Sequence, residues 1–315
     1  MICAKNEQQN LEENLPLIFS QEYPVFEIIV VDDGSDIPFT MQHDKLKIIT
    51  ISKEEKIGLG KKYALQKGIE VARNELILLT DADCKPVSKN WITNMTSCIT
   101  SSKNIVLGIS PYKAENTILN ALIEYETAQT ALQYLGWALV GKPYMSVGRN
   151  VLYNTEFIKS KKWSAIEMSI ASGDDDLAIQ ELATQHNTSV CLNTESYTVS
   201  NAKNTWKSWI LQKTRHYQSG GLYSFFDKML LGSYLITKAS LYILFLILIC
   251  IQNTPTVVSI FLGYILINTL LQFYFNKYTN INNRWFYTFW NDILYSFFTL
   301  ILGILSKFRN KSSWK

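Results

Sequence analysis

Three aspartates stand in a row at Asp174, Asp175 and Asp176, directly before a stretch of helical spacing that runs on from Leu177. Adjacent carboxylates repel one another. The free N–H groups and macrodipole of a helix N-terminus accommodate one or two of them. The remaining one is a candidate general base. A second acidic pair, Asp81 and Asp83, flanks a single alanine in "LLTDADC". Two carboxylates at that spacing can jointly hold a magnesium or manganese ion, which shares its other sites with phosphate and water. Asp32 and Asp33 close the run "IIVVDDGSD" and can accept hydrogen bonds from a nucleobase or ribose edge. Gln212 and Arg215, in "QKTRH", suit a diphosphate, because a guanidinium matches phosphate geometry. Each has a plainer reading: an acidic turn after a strand, an Asp-Gly-Ser-Asp turn, an interfacial cation. Together, in this order, they fit transfer from a nucleotide-sugar donor to an acceptor hydroxyl.

The elements that must position these residues follow from apolar patterning. "EIIVVDDGSD" and "ELILLTDADC" are apolar, partly β-branched runs ending in acids, the signature of buried parallel strands with functional loops at their carboxyl ends. "KLKIITI" (Lys45 to Ile51) reads as another strand. Lys61 to Arg73 reads as a helix, with Ala64, Leu65, Ile69 and Ala72 on one side. Strand, helix and strand alternate, so the first half is α/β with a mostly parallel sheet, and ligands are expected beyond its strand ends. No GxGxxG follows the first strand, which argues against a dinucleotide site. Farther on, Asn120 to Leu139 and Asp174 to His186 read as helices, and Tyr144 to Tyr153 as a strand with a tight turn at Gly148.

The last third has a different character. Three apolar stretches, 230–251, 256–275 and 286–305, each have the length needed to cross a bilayer core. Lys238 interrupts the first and is expected to snorkel; Asp292 interrupts the third near one end. Aromatics gather at their boundaries. The alternative, three buried helices of a helical domain, fits less well. Four cations in "SKFRNKSSWK" favour a cytosolic tail, whereas three spans after a cytosolic domain place the tail outside. Either the third stretch lies in the interface or the charge rule is broken here. A net charge of +3 without a basic, aromatic-lined stripe points away from nucleic acid. Five scattered cysteines with no CxxC suit free thiols rather than a disulfide framework or a zinc site. The opening "MICAKNE" reads as a strand running into a loop, with the expectation that most of that strand is missing.

With these pieces in place, the chain resembles the family 2 inverting glycosyltransferases of the GT-A fold, from its first residue to about His216. The matching segments are "AKNEQQNLEENLP", "IIVVDDGSD", "GKKYAL", "TDAD", "VGRN", "GDDDL" and "QKTRH". It looks closest to bacterial membrane-bound members. The resemblance implies a catalytic domain over 1–222 and a membrane region of two or three spans over 223–315. It further implies a multi-pass protein of the inner membrane whose catalytic domain faces the cytoplasm. A UDP- or GDP-sugar donor, a lipid or lipid-linked acceptor and Mn2+ or Mg2+ are implied as well. It assigns Glu7 and one of Asp32 and Asp33 to the nucleotide, Lys61 to the diphosphate, and Asp81 and Asp83 to the metal. Counting back from Leu177, it favours Asp174 over Asp175 as the base. Arg149, Asn150 and His216 fall on the acceptor side. Two departures stand out: His216 replaces the tryptophan of the QxxRW motif, which weakens a processive polymerase, and "GDD" replaces the more usual "ED". The competing readings are an inactive membrane scaffold that keeps the fold and a sugar-nucleotide pyrophosphorylase, the latter lacking its glycine-rich phosphate loop here.

Overall fold

The computed structural model describes residues 1–251, 255–281 and 284–308; the tail cations beyond residue 308 lie outside the described residues. The chain forms two compact units. The first comprises Met1–Pro111 and Gln133–Asn201, the second Tyr112–Leu132 and Ala202–Arg309.

In chain order the elements of the first unit begin with β1 (Ile2–Ala4), α1 (Gln8–Phe19), β2 (Ile28–Asp33), β3 (Leu46–Ile51) and α2 (Lys62–Val71). There follow β4 (Leu76–Asp81), β5 (Lys85–Pro86), α3 (Trp91–Thr96), β6 (Ile105–Leu107) and the end of α4 (Ile118–Leu139). The unit closes with β7 (Val151–Asn154), α5 (Thr155–Lys159), α6 (Ala165–Met168), α7 (Asp176–Leu182), β8 (Thr188–Val190) and β9 (Thr198–Val199). The main sheet has the order β3-β2-β1-β4-β7-β6-β8. Its first four strands run parallel, β7 runs antiparallel to β4 and β6, and β8 is parallel to β6. The strand expected from Tyr144 is shorter than its sequence suggested: only Val151–Asn154 joins the sheet, and Gly148 lies in the turn before it.

Every residue of β2 is buried, as its unbroken apolar run requires of a strand covered on both faces. Side chains alternate along it. Ile28 and Val30, with Ile2 and Ala4 of β1, pack with Leu11, Leu15 and Ile18 of α1, spaced four and three residues apart on one helix stripe. Helix α2 packs on β2 and β1 through a buried side formed by Lys62, Ala64, Leu65, Gly68 and Ile69. Beyond β4, Asn150 is fully buried and knits three segments together. Its amide donates to the carbonyls of Ile109 and Ser196, each at 2.8 Å, and accepts the Trp91 indole N–H at 3.0 Å.

The second unit consists of the first part of α4, then α8 (Trp206–Gly220), α9 (Phe225–Ile251), α10 (Pro255–Thr279) and α11 (Thr288–Phe308). By length and composition, α9, α10 and α11 can each cross a membrane. Leu119, Leu122 and Ile123 of α4 pack with Trp209 of α8 and with Tyr295 and Leu302 of α11. Trp206 stacks on Phe298, with ring centroids 5.5 Å apart. Lys238 does not snorkel. It is buried and forms an ion pair with the fully buried Asp292. Three tyrosine hydroxyls complete the site: Tyr125 donates to one Asp292 oxygen at 2.5 Å, and Tyr242 and Tyr264 to the other at 2.5 and 2.6 Å. Lys238 also donates to the Tyr234 hydroxyl at 3.1 Å. An apolar helix tolerates these charges because each has its counter-charge and hydrogen bonds.

Two outcomes follow. Asp292→Ala, by leaving Lys238 uncompensated, lowers stability by about 3–5 kcal/mol, whereas Lys238→Met with Asp292→Leu recovers most of the loss. Thermal unfolding in detergent reads this, and a double variant as unstable as the single ones contradicts it. Asn150→Ala strands two carbonyls and one indole N–H and costs about 3 kcal/mol, measured by denaturant unfolding of the full chain.

Candidate active site

Strand register brings the acids together. Cys3 on β1 lies opposite both Val31 of β2 and Asp81 of β4, so Asp32, Asp33 and Asp81 all emerge at the carboxyl edge of the parallel sheet. The loops at that edge are tied to each other. Asn6 adopts a left-handed backbone conformation (φ 54°), which asparagine tolerates better than most residues. Its N–H donates to the Ser35 hydroxyl at 2.8 Å, and its side chain exchanges hydrogen bonds with Asp36.

Lys61 is the residue immediately before α2, and its ammonium lies among carboxylates. It is 2.7 Å from Asp81 Oδ1 and 3.1 Å from Asp174 Oδ2. Burial works against its charge, but Asp174, Asp81 and Asp175 together hold it protonated well above the usual lysine range. Asp175 has a structural task. It is the N-cap of α7, accepts the Asp176 N–H at 2.9 Å, and takes the Gly148 N–H at 2.6 Å through its other oxygen. Burial and then the neighbouring Asp174 push its carboxyl up to about 6. The triplet is thus divided: Asp176 lies in the first helical turn, Asp175 caps it, and Asp174 meets the lysine.

The other expected residues are placed as follows. Asp32 closes its own loop, accepting the Ser35 N–H at 3.1 Å and the Phe39 N–H at 2.8 Å. Asp33 is fully buried and paired with Lys56; its Oδ1 has no hydrogen-bond partner, and burial pushes its carboxyl up against the pull of that lysine. Glu7 is the N-cap residue of α1 and accepts the Asn10 amide. Arg149 donates to the Ser200 hydroxyl at 3.0 Å. Asn150, expected on the acceptor side, has its side chain wholly engaged within the core. Gln212, Arg215 and His216 lie on α8 of the second unit, where Thr205 caps the helix and Lys213 pairs with Glu126 at 2.8 Å. Asp81, Asp174, Asp175 and Lys61 are brought together in one cluster; Asp33 with Lys56 forms a second at the same sheet edge.

Asp81 and Asp83 are hard oxygen donors one residue apart, both partly exposed at the end of β4. That donor set fits a small divalent cation that takes the rest of its shell from phosphate and water. Among the described residues, no group of three or more His, Cys, Asp or Glu side chains forms a metal-ligand cluster. Two lysines were missed at the sequence level. Lys56 sits in "KEEK", indistinguishable from a solvated charge run. Lys62 carried a signal: with Leu65 and Ile69 it occupies positions i, i+3 and i+7, the apolar stripe of α2.

Comparison with known proteins gives this geometry its context. Poly-beta-1,6-N-acetyl-D-glucosamine synthase of Staphylococcus epidermidis is 31% identical over 90 residues, which make up 26% of this chain and 21% of that one. The match thus spans about a fifth of that relative's length. Mannosyltransferase PcManGT from Pyrobaculum calidifontis, solved in complex with GDP-Man and Mn2+, has a TM-score of 0.59 at 14% identity, covering 97% of this chain and 86% of that chain. That is a likeness of fold. TarS 1-349 of S. aureus, in complex with UDP-GlcNAc, has a TM-score of 0.43 at 16% identity over 68% of this chain and 63% of that one. The description Glycosyl transferase family 2 matches residues 1–171, more than half of the sequence. The chain therefore belongs to glycosyl transferase family 2.

Proposed function

We propose that the protein is a membrane-bound inverting glycosyltransferase. It moves a sugar from a UDP- or GDP-sugar to a lipid or lipid-linked acceptor at the cytoplasmic face of a bacterial inner membrane. The observation that carries this reading is the Lys61 ammonium set between Asp81 and Asp174 at the carboxyl edge of the sheet. It joins a strand-end acid suited to a cation with an acid suited to proton transfer. The mannosyltransferase of similar fold was solved with GDP-Man and Mn2+, the donor and cation classes invoked here.

In the proposed reaction, Asp33, whose Oδ1 lacks a hydrogen-bond partner, receives a donor N–H or hydroxyl of the nucleoside, with Glu7 beside the same strand edge. Asp81 and Asp83 would hold Mn2+ or Mg2+, which supplies positive charge to the donor diphosphate when bound. Lys61 adds a fixed ammonium for the negative charge that grows there as the glycosidic bond breaks. Asp174 takes the proton of the acceptor hydroxyl as its oxygen attacks the anomeric carbon opposite the diphosphate. The new C–O bond forms while the bond to the diphosphate breaks, and the configuration inverts. No covalent enzyme intermediate is required. On the resemblance, Gln212 and Arg215 of α8 also serve the leaving diphosphate. His216, standing where a tryptophan is expected, favours transfer of a single sugar over processive polymerisation.

Nucleoside diphosphate release by membranes containing the full chain, with a panel of UDP- and GDP-sugars, tests the reading. One donor is expected to turn over, with EDTA abolishing release and Mn2+ or Mg2+ restoring it. Asp174→Asn is expected to lower kcat by about 10²–10⁴-fold, the usual size of a general-base contribution. Asp83→Ala is expected to be as damaging and not rescued by added metal. Turnover that persists in Asp174→Asn removes that residue from the role of base. Arg215→Ala, in a protein that still folds, is expected to lose donor turnover, and unchanged turnover removes it from the mechanism.

A further inference from the structure

The residue after Lys61 is also a lysine, and its environment is unlike that of any surface cation. Lys62 is completely buried. Among the described residues it forms no ion pair with a carboxylate. Instead its ammonium donates to two main-chain carbonyls, Ile170 O at 3.0 Å and Ser172 O at 2.5 Å, and lies 5.8 Å from the centroid of the Trp163 ring. Both carbonyls belong to an irregular segment between α6 and α7 that has no strand or helix to satisfy them. A buried carbonyl without a partner is costly, so this segment depends on a donor brought from elsewhere.

A second set of contacts fixes the same segment from the same side. The Leu59 N–H donates to Met168 O at 2.8 Å. Gly60 has φ +75°, and a Cβ there would lie 2.4 Å from the Ala171 carbonyl oxygen. The chain entering α2 therefore runs backbone against backbone along residues 168–172, an approach only glycine permits. Two residues beyond Ser172 comes Asp174, whose carboxylate meets Lys61. Successive lysines at the start of one helix thus hold two levels of one loop: Lys62 holds its main chain, and Lys61 the side chain of its acid.

We infer that Lys62 is a positioning residue that sets the loop carrying Asp174, so that the carboxylate is aimed at the acceptor hydroxyl. This rests on the reading of Asp174 as the base. Lys62 lies among neither the acids assigned to the cation nor those assigned to the nucleoside. Its removal therefore separates proton transfer from donor binding. The reason is geometric: misplacing a catalytic group by about 1 Å costs roughly 10²-fold in rate.

The test uses Lys62→Met, which keeps the bulk and removes the donor, and Lys62→Gln, which keeps an uncharged N–H donor. Both are made in the full chain in membranes or detergent. In Lys62→Met, kcat is expected to fall by about 10²-fold while the KM and Kd for the donor change by less than about 3-fold; Lys62→Gln recovers a large part of kcat. Hydrogen exchange in Lys62→Gln is expected to quicken over residues 168–176 and not across the sheet. If Lys62→Met does not fold, the glutamine variant carries the test by a partial loss of kcat at unchanged donor KM, together with faster exchange confined to residues 168–176; a fully wild-type kcat with unchanged exchange there overturns the inference. A kcat near wild type in Lys62→Met, a loss of donor affinity in proportion to kcat, or faster exchange throughout the first unit each overturns the inference. Failure of the underlying reading looks different: Asp174→Asn would then turn over like wild type, whatever the exchange of the loop.

Discussion

The site depends on a single ammonium. Asp81, Asp174 and Asp175 converge from a strand end, a loop and a helix cap, and three carboxylates in a half-buried space repel one another strongly. Lys61 makes that convergence possible by lying within ion-pair distance of two of them. It can do so because it immediately precedes α2, a helix anchored on β2 and β1 through Ala64, Leu65 and Ile69. A lysine on a mobile loop would neutralise the acids without locating them. On a packed helix it does both, and Asp81 and Asp174 are held in place before any ligand arrives.

The rest of the first unit serves the same constraint. Parallel strands deliver Asp33 and Asp81 to one edge. Asp175 and Asp32 use their oxygens on main-chain N–H groups, so two of the acids that look reactive in the sequence also shape the loops that carry them. Lys62 and Asn150 satisfy carbonyls that no ladder reaches. The scaffold around the acids is built as much from polar side chains bonded to backbone as from apolar packing. Such networks are favourable only when every member is satisfied, which ties the loops closely to one arrangement.

The second unit solves a different problem with related means. Its long apolar helices satisfy their backbones internally, as a bilayer demands. A buried charge pair among them, Lys238 with Asp292, is enclosed by tyrosine hydroxyls from α4, α9 and α10. An acid and a lysine that look like interruptions of separate spans become a cross-link among helices. The α8 helix carrying Gln212 and Arg215 is held in the same unit through Trp209 and the Lys213–Glu126 pair.

Much of this was legible in the sequence. The apolar runs ending at Asp33 and Asp81 foretold parallel strands, and the first is buried throughout, since a strand covered on both faces must be apolar along its length. The lengths of the three final stretches foretold helices able to span a bilayer. These features are local: periodicity, run length and spacing reflect the burial of one segment at a time. What the sequence could not divide was roles among like residues. Asp174 and Asp175 differ only in which long-range partner reaches them, a lysine 113 residues earlier for one and the Gly148 N–H for the other. Nor could the sequence show that the Asn150 side chain is engaged within the core, because its three partners come from distant segments. Lys238 read as a snorkelling cation, because its counter-charge lies on another helix. Composition and spacing determined which chemical groups the protein has and roughly where they emerge. Tertiary structure alone decided which acid meets the lysine and which caps a helix, because pairing, capping and burial depend on contacts between segments far apart in the chain.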